Sequence, residues 1–113
     1  MLFRSDYKNG KKDGSWISYK ENGQLSYEGN WKNGMSEGSW IYYHDNGQLD
    51  SKGDYKNGNQ EGSWVDYFKN GQLFSNGNYK NGNKEGSWFS YKRDGTVWKE
   101  YTGTYKDGIK ISD

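Results

Sequence analysis

Few side chains in this sequence have the chemistry for catalysis or for metal binding. His44 is the one histidine and the chain has no cysteine, so neither a transition-metal site nor thiol chemistry is expected. The residues at the equivalent positions 24 residues apart are Lys20, Phe68 and Lys92. Because a different side chain stands at nearly every equivalent position, His44 is interpreted as a surface residue beside a turn.

The serines and the acidic residues recur at a fixed interval. The serines are Ser15, Ser39, Ser63 and Ser87, and the acidic residues are Asp13, Glu37, Glu61 and Glu85. No histidine base accompanies the serines, so nucleophilic catalysis is not expected. Each acidic residue stands directly before a glycine, which indicates a polar turn rather than a tuned acid–base pair. The sequence therefore predicts a protein that is not an enzyme and that uses no cofactor and no metal.

The glycine-rich segments and the lysines do not predict a nucleotide or nucleic-acid site. The segment KNGxxxG at 8–14 and its later copies lack the GxxxxGK[ST] spacing that cradles a phosphate. Lysines recur in a column, but 16 basic residues face 15 acidic ones and the net charge is +1. Phosphate attraction needs a sustained positive surface, and lipid binding needs a polybasic cluster or an amphipathic helix. We therefore expect neither nucleic-acid nor membrane-lipid binding.

A tandem repeat spans almost the whole chain. Copies of a unit such as YKNGKKDGSWISYKENGQLSYEGN begin at Tyr7, Trp31, Tyr55 and Tyr79, and the last copy is two residues longer than the others. Self-similarity of this kind predicts a repeat architecture. The predicted organisation is a single repeat domain, 1–113, with full copies at 7–30, 31–54, 55–78 and 79–104 and partial copies at 1–6 and 105–113.

The composition favours an all-β fold. The chain has no alanine and no proline but 17 glycines, 11 tyrosines and 6 tryptophans, and such a sequence has little helix propensity. Leu, Ile, Val and Phe together make up only about 12% of the residues, so aromatic rings must supply much of the packing. No secretory signal and no transmembrane segment is apparent, which predicts a cytoplasmic protein.

Each copy contains two strand-forming runs. In the first copy these runs are 14–20 and 24–32, separated by the turn signal Asn22-Gly23. The KNGxxxG segments are interpreted as longer connections that lead into the next copy. The predicted fold is an elongated, twisted single antiparallel β-sheet, a meander of 24-residue hairpin repeats with eight or nine strands.

Strand parity assigns the side chains to two faces. Trp16 lies on one face, and Ile17 and Tyr19 lie on the other. In the second strand, Leu25 and Gly29 share a face. A three-residue loop pairs Tyr19 with Leu25, whereas a two-residue loop puts Leu25 with the tryptophans; the first is preferred, and the second stays open. In either case, a glycine once per copy predicts an aromatic ring lying across bare backbone.

Several segments resemble the MORN repeat. These include YEGNWKNGMSEGSW at 27–40, GDYKNGNQEGSW at 53–64 and GNYKNGNKEGSW at 77–88. The longer unit GSWxxYxxNGQLxxxGxYKNG is similar to the bacterial variant found in antitoxins of the YwqK type. The resemblance implies elongated sheets of one hairpin per copy that serve mainly as interaction platforms, and in some relatives neutralise a partner toxin. The fourth copy departs from the pattern at Thr96-Val97, which indicates a capping copy.

Variation between the copies points to a partner surface. The tryptophans, tyrosines, glycines and turn residues stay fixed, whereas positions beside the tryptophans differ. Aromatic surfaces with little charge bias suit protein interfaces. The predicted partner-binding residues are Trp40, Tyr42, Trp64, Phe68, Phe74, Trp88 and Trp98. The alternative interpretation is that these rings only pack on one another.

The predicted function is that of a non-catalytic protein-interaction module. The resemblance implies a more specific version, an antitoxin-like inhibitor whose protein partner is a toxin. The alternative is a structural or scaffolding repeat that self-associates through its faces or edges. Ile109-Lys110-Ile111 is a candidate edge for such pairing.

Overall fold

A computed structural model describes the backbone of residues 3–8 and 10–113, and the side chains from residue 10 onward. Residues 1 and 2, which begin the predicted partial copy 1–6, lie outside the described residues, as does residue 9 of the first KNGxxxG segment.

The described residues form ten β-strands and no helix. The strands are β1 (Phe3–Lys8), β2 (Lys11–Tyr19), β3 (Leu25–Lys32), β4 (Met35–Tyr43), β5 (Leu49–Lys56), β6 (Asn59–Tyr67), β7 (Leu73–Lys80), β8 (Asn83–Ser90), β9 (Gly103–Lys106) and β10 (Ile109–Ser112). Each strand pairs with the next one along the chain in a single antiparallel sheet. The molecule measures 46 × 31 × 13 Å, and the shortest dimension is that of one sheet with its side chains. The predicted all-β single-sheet meander is confirmed, with one or two more strands than expected.

The KNG sequences form the tightest turns of the sheet. Asn33 and Gly34 have φ angles of 52° and 81°, and they connect Lys32 directly to its pairing partner Met35. Two consecutive positive φ angles define a two-residue type I′ hairpin turn, for which Asn-Gly is the preferred sequence. The prediction that the KNGxxxG segments are longer connections is therefore wrong. The second half of each segment already belongs to the following strand.

The other Asn-Gly pairs lie in three-residue loops. The Lys20 amide donates to the Gln24 carbonyl at 2.7 Å, and the Gly23 amide donates back to the Lys20 carbonyl at 2.9 Å. The Asn22 side chain accepts a hydrogen bond from the Gln24 amide at 2.9 Å. A type I turn followed by a glycine with positive φ is the usual three-residue hairpin. The preferred loop length is thus confirmed, and the two-residue alternative is wrong.

A β-bulge follows each of the first three of these loops. In the first copy, Tyr19 pairs with Leu25, but Ser18 pairs with Tyr27. Ser26 is therefore an extra residue without a partner position on the neighbouring strand. The same bulge recurs at Asp50 and Phe74.

The bulge moves the second strand's glycine to the other face. Trp16 pairs with Gly29, so Gly29 lies on the tryptophan face, whereas Leu25 lies with Tyr19 on the opposite face. The prediction that Leu25 and Gly29 share a face is wrong, because one extra residue shifts the alternation of all later side chains. We call the face with Trp16, Trp40, Trp64 and Trp88 the tryptophan face, and the opposite one, with Ile17, Ile41, Val65 and Phe89, the aliphatic face.

The fourth copy leaves the sheet where its two extra residues are inserted. Val97 forms an isolated bridge with Tyr91, after which the chain turns. The Thr102 amide donates to the Trp98 carbonyl at 3.1 Å, and strand pairing resumes only at Gly103. The second strand-forming run of the fourth copy is therefore interrupted, because the inserted residues form a turn instead of extending the strand.

Candidate functional site

An alternating ladder of aromatic rings crosses the tryptophan face. The ring centroids are separated by 5.2 Å for Trp31–Trp40, 5.7 Å for Trp40–Tyr55, 5.2 Å for Tyr55–Trp64, 6.1 Å for Trp64–Tyr79 and 4.9 Å for Tyr79–Trp88. The planes meet at 77° to 88°, so each ring places its edge on the face of the next, the favoured geometry for aromatic pairs. Two lysine ammonium groups each lie over two rings of the face. Lys12 lies 4.4 Å from the Trp16 ring and 4.6 Å from the Trp31 ring. Lys84 lies 4.8 Å from the Trp88 ring and 5.1 Å from the Tyr105 ring.

Three of the ladder's tryptophans, Trp40, Trp64 and Trp88, lie flat on glycine backbone. A Cβ on Gly29, Gly53 or Gly77 would overlap the ring of Trp40, Trp64 or Trp88, respectively. Each indole N–H also donates to a backbone carbonyl of the preceding strand: Trp40 to Asn30 at 3.0 Å, Trp64 to Asp54 at 2.9 Å and Trp88 to Asn78 at 2.8 Å. The predicted ring across bare backbone is confirmed. The glycine and the carbonyl together fix the position and the tilt of each indole.

Four of the seven predicted partner-binding residues lie in this packed ladder or against it. Trp40 and Trp64 are each 3% exposed, and Trp88 is 1% exposed. Tyr42 is half-buried, and its hydroxyl lies 3.1 Å from the Tyr55 hydroxyl. Burial, together with this hydrogen bond, raises the pKa of Tyr42, so the phenol remains protonated at neutral pH. The three tryptophans therefore form a buried layer beneath the accessible surface and contribute almost nothing to that surface themselves.

The other three predicted residues lie closer to solvent, beside the loops. Phe68 and Phe74 are in ring contact, with centroids 4.9 Å apart, and Phe74 is 37% exposed. Trp98 packs against Tyr101 at 4.8 Å, and Tyr101 is 43% exposed. We call these four residues the aromatic margin. Tyr105, on the tryptophan face, holds the second pair in place by donating its hydroxyl proton to the Tyr101 carbonyl at 2.8 Å.

Phe68 and Phe74 occupy positions that are filled by a polar pair one copy earlier. There, His44 Nδ1 lies 3.5 Å from Asp50 Oδ2. His44 Nε2 lies 2.7 Å from the Tyr67 carbonyl, an acceptor, so Nε2 carries the proton. His44 is thus a half-buried residue that links two neighbouring copies, in place of the surface residue that the sequence predicted.

Asp66 lies on β6 between these two pairs. Its Oδ2 accepts a hydrogen bond from the Ser75 hydroxyl at 3.1 Å. Burial of the carboxyl raises its pKa, and the negative charge of Asp50 acts in the same direction. A shallow cavity is lined by His44, Asp50, Asp66, Phe68 and Phe74, with Tyr67 and the loop residues Lys69, Asn70 and Arg93 around it.

The periodic acidic residues support turns. Glu37 accepts a hydrogen bond from the Asn57 amide at 3.0 Å, and Glu61 does the same for the Asn81 amide. Both amides belong to residues with positive φ in type I′ turns. No group of three or more potential ligand side chains among the described residues is arranged to hold a metal ion. The described part of the chain also contains no helix long and apolar enough to cross a bilayer.

Comparison with known families matches the same repeats. The family model described as MORN repeat variant matches residues 12–33, 36–57 and 60–81, which is more than half of the chain. The chain belongs to the MORN repeat variant family. None of the curated proteins matches it. MORN repeats are generally modules for protein or membrane interaction, and the family is not catalytic in general.

The three MORN matches begin at equivalent positions in consecutive copies, each at the residue that follows the start of β2, β4 or β6. Each therefore contains one long strand, a three-residue loop and the next strand as far as the type I′ turn. The fourth copy lies outside the matched residues from residue 82 onward, including its inserted turn. The predicted copy boundaries remain a prediction, since the family model places its units about five residues later.

The partner surface predicted from the sequence of this MORN array does not include two carboxylates that line the cavity. Asp50 and Asp66 stand at positions that differ between copies, but only the aromatic residues at such positions were selected as candidates. The signal was present, because Asp50 is the bulge residue equivalent to Phe74. What the sequence did not show is that both groups line one cavity with Phe68 and Phe74.

Proposed function

We propose that this chain is a non-catalytic protein-interaction module that binds a partner protein through its aromatic margin. One observation carries the proposal: the recurring tryptophans are packed into the ladder, whereas Phe68 and Phe74, at positions that differ between copies, lie at the margin. Trp40, Trp64 and Trp88 are almost fully buried, while the equivalent positions of Phe74 hold a serine, an aspartate and a tryptophan in the other copies. A rigid framework with variable rings at its border has the character of a recognition surface.

The chemistry of the margin supports protein recognition. Aromatic side chains offer a large contact area with few rotatable bonds, and they are common among the residues that dominate binding energy. The rings of Phe68 and Phe74 already contact each other, so little conformational freedom is left to lose on binding. Polar and charged groups surround them, as in the rim of a protein interface.

The experiment uses affinity capture from the native host with two sets of variants. We expect the double variant Phe68→Ala/Phe74→Ala to lose the captured partner while remaining folded, because Phe74 is exposed and neither ring belongs to the ladder. Phe89→Ala, which removes a ring that is 48% exposed on the aliphatic face, is the matched control and should retain it. Loss of the partner in Phe89→Ala alone would contradict the proposal. Trp64→Ala is not a suitable variant, since removing a buried tryptophan costs about 3–5 kcal/mol of stability.

The more specific form of the proposal is that the partner is a toxin and that binding inhibits it. Its support is the similarity of the repeat unit to the bacterial variant found in antitoxins of the YwqK type. A protein encoded by a neighbouring gene should then arrest growth when expressed alone, and co-expression of this chain should relieve the arrest through a stoichiometric complex. A neighbouring product that is harmless, or that forms no complex, would rule out the antitoxin form and leave the interaction module intact.

Self-association is the second candidate function, and the last strand favours it. Ile109 and Ile111 on β10 are 70% and 60% exposed, and within the described residues β10 pairs only with β9. An unpaired strand edge with exposed apolar side chains is a site for pairing with another chain. Sedimentation at high protein concentration should then show a dimer that Ile111→Lys disrupts, and a monomer at all concentrations would exclude this function.

A further inference from the structure

The cavity beside Phe68 and Phe74 combines apolar walls with two carboxylates. Asp50 and Asp66 line it together with the two rings. We call these four residues the notch. Asp66 is only partly accessible, and Asp50 has 43% of its side chain exposed, so a ligand can reach both side chains from solvent.

The two carboxylates of the notch are incompletely paired. Asp66 accepts one hydrogen bond from Ser75, and Asp50 faces His44 at 3.5 Å, although a carboxylate accepts several bonds. The two carboxylates repel each other, since the negative charge of Asp50 disfavours the ionised form of Asp66. A cation placed between them would relieve this repulsion and complete their hydrogen bonding.

The walls of the notch decide which cation fits. The paired phenyl rings, 4.9 Å apart, offer an apolar surface to a methylene stem and an aromatic face to a planar cation. An arginine side chain has both parts, and its guanidinium forms parallel hydrogen bonds with carboxylates. A bare metal ion would have only the two carboxylates as ligands and would gain nothing from the two phenyl rings. A membrane headgroup would bring a phosphate against Asp50 and Asp66.

We propose that the notch binds an arginine side chain of the partner protein, with the guanidinium between Asp50 and Asp66 and the stem against Phe68 and Phe74. The inference rests on the proposed function and gives the chemistry of its central contact. Lys69 and Arg93 lie exposed on the rim, where they favour acidic residues beside the bound arginine. Lys84 also contributes positive charge near Asp66, so the binding is weaker than that of an isolated acidic pair.

The test is a titration of the intact isotope-labelled chain, followed through its backbone amide signals by NMR. The probe is the blocked peptide Gly-Gly-Arg-Gly-Gly, and the matched peptide carries citrulline, which has nearly the shape of arginine without its charge. We expect saturable shifts at Phe68 and Ser75 with a dissociation constant of about 1 mM, and binding about tenfold weaker for citrulline because the charge-assisted bonds are lost.

Variants of the chain locate the site. Asp66→Asn and Asp50→Asn should each weaken binding of the arginine peptide about fivefold or more. Asp54→Asn is the control, since Asp54 is an exposed carboxylate outside the notch. Equal binding of the citrulline peptide, tighter binding of a glutamate peptide, an equal loss in Asp54→Asn, or no saturable shift would each overturn the inference. None of these results affects the capture experiment with Phe68→Ala/Phe74→Ala, so the two proposals fail separately.

Discussion

Gly53→Ala should strongly destabilise the sheet, because one methyl group would displace a buried indole. The added Cβ would overlap the ring of Trp64, which is 3% exposed. Overpacking of this kind costs about 1–3 kcal/mol. A displaced ring would also weaken its hydrogen bond to the Asp54 carbonyl, worth about 1 kcal/mol, and its contacts with Tyr55 and Tyr79, worth about 0.5–1.5 kcal/mol each. Because the hydrogen bond and the ring contacts are weakened and not wholly lost, we expect a total loss of about 3–5 kcal/mol, comparable to the removal of the tryptophan itself.

The matched control is Gly62→Ala, on the neighbouring strand β6. Gly62 has a φ of 75°, and no heavy atom lies within 4 Å of the position that a Cβ would take, so the substitution costs only the left-handed backbone, about 1–2 kcal/mol. Urea unfolding followed by far-UV circular dichroism measures both. In a Trp64→Ala background the ring is absent, and Gly53→Ala should then have little effect or stabilise by about 0.5–1 kcal/mol. A Gly53→Ala variant no less stable than Gly62→Ala, or a loss that persists without Trp64, would refute the argument.

Three further predictions concern a turn, the inserted segment and a carboxyl group. Asn57→Ala should cost about 1–2 kcal/mol in urea unfolding because Asn57 has a φ of 51°, whereas Asn57→Gly should cost little. Thr102→Val should lower stability by about 1–3 kcal/mol, since the Thr102 hydroxyl bonds both the amide and the carbonyl of Ser90 at 2.9 and 3.1 Å; Thr102→Ser is the control. Burial is the main cause of the raised pKa of Asp66, so the folded state favours the protonated carboxyl. This contribution to stability is present below about pH 4 and is lost as the pH rises through the folded-state pKa. Asp66→Asn should therefore be more stable than the parent chain at pH 7, with a difference that shrinks toward pH 4; a constant difference would contradict this.

The repeat, the strand pairing order and the ring-on-glycine packing were accessible from the sequence. Periodicity of 24 residues and the Asn-Gly pairs fix one hairpin per copy, and a glycine that recurs inside a strand commonly marks the close approach of another group to the backbone. The two kinds of turn were harder to tell apart, since both contain Asn-Gly. They differ in whether the asparagine takes a positive φ, as Asn33 does, or instead accepts a hydrogen bond from the amide two residues later, as Asn22 does.

The faces of the residues that follow the bulge in the second strand of a copy were not accessible, for a specific physical reason. A bulge at Ser26 or Asp50 leaves no mark in the hydrophobic pattern, yet it reverses the side of every later residue in the strand. The candidate site was affected in the same way. The sequence identified Phe68 and Phe74, but it did not show that the bulge residue Asp50 lines one cavity with them and with Asp66.

The aromatic ladder has a consequence for the evolution of such arrays. The Trp40–Tyr55 contact joins two copies, and the Tyr55–Trp64 contact lies within one copy. The two contacts have nearly the same geometry, with ring centroids 5.7 and 5.2 Å apart. Duplication or loss of one whole copy by unequal recombination would therefore rejoin compatible rings at the junction and leave each indole on its glycine. The bulge positions lie outside those contacts, so newly duplicated copies are free to diverge there. An array of this kind can acquire a new binding specificity by gene-level copying first and point mutation afterwards, without passing through an unfolded intermediate form.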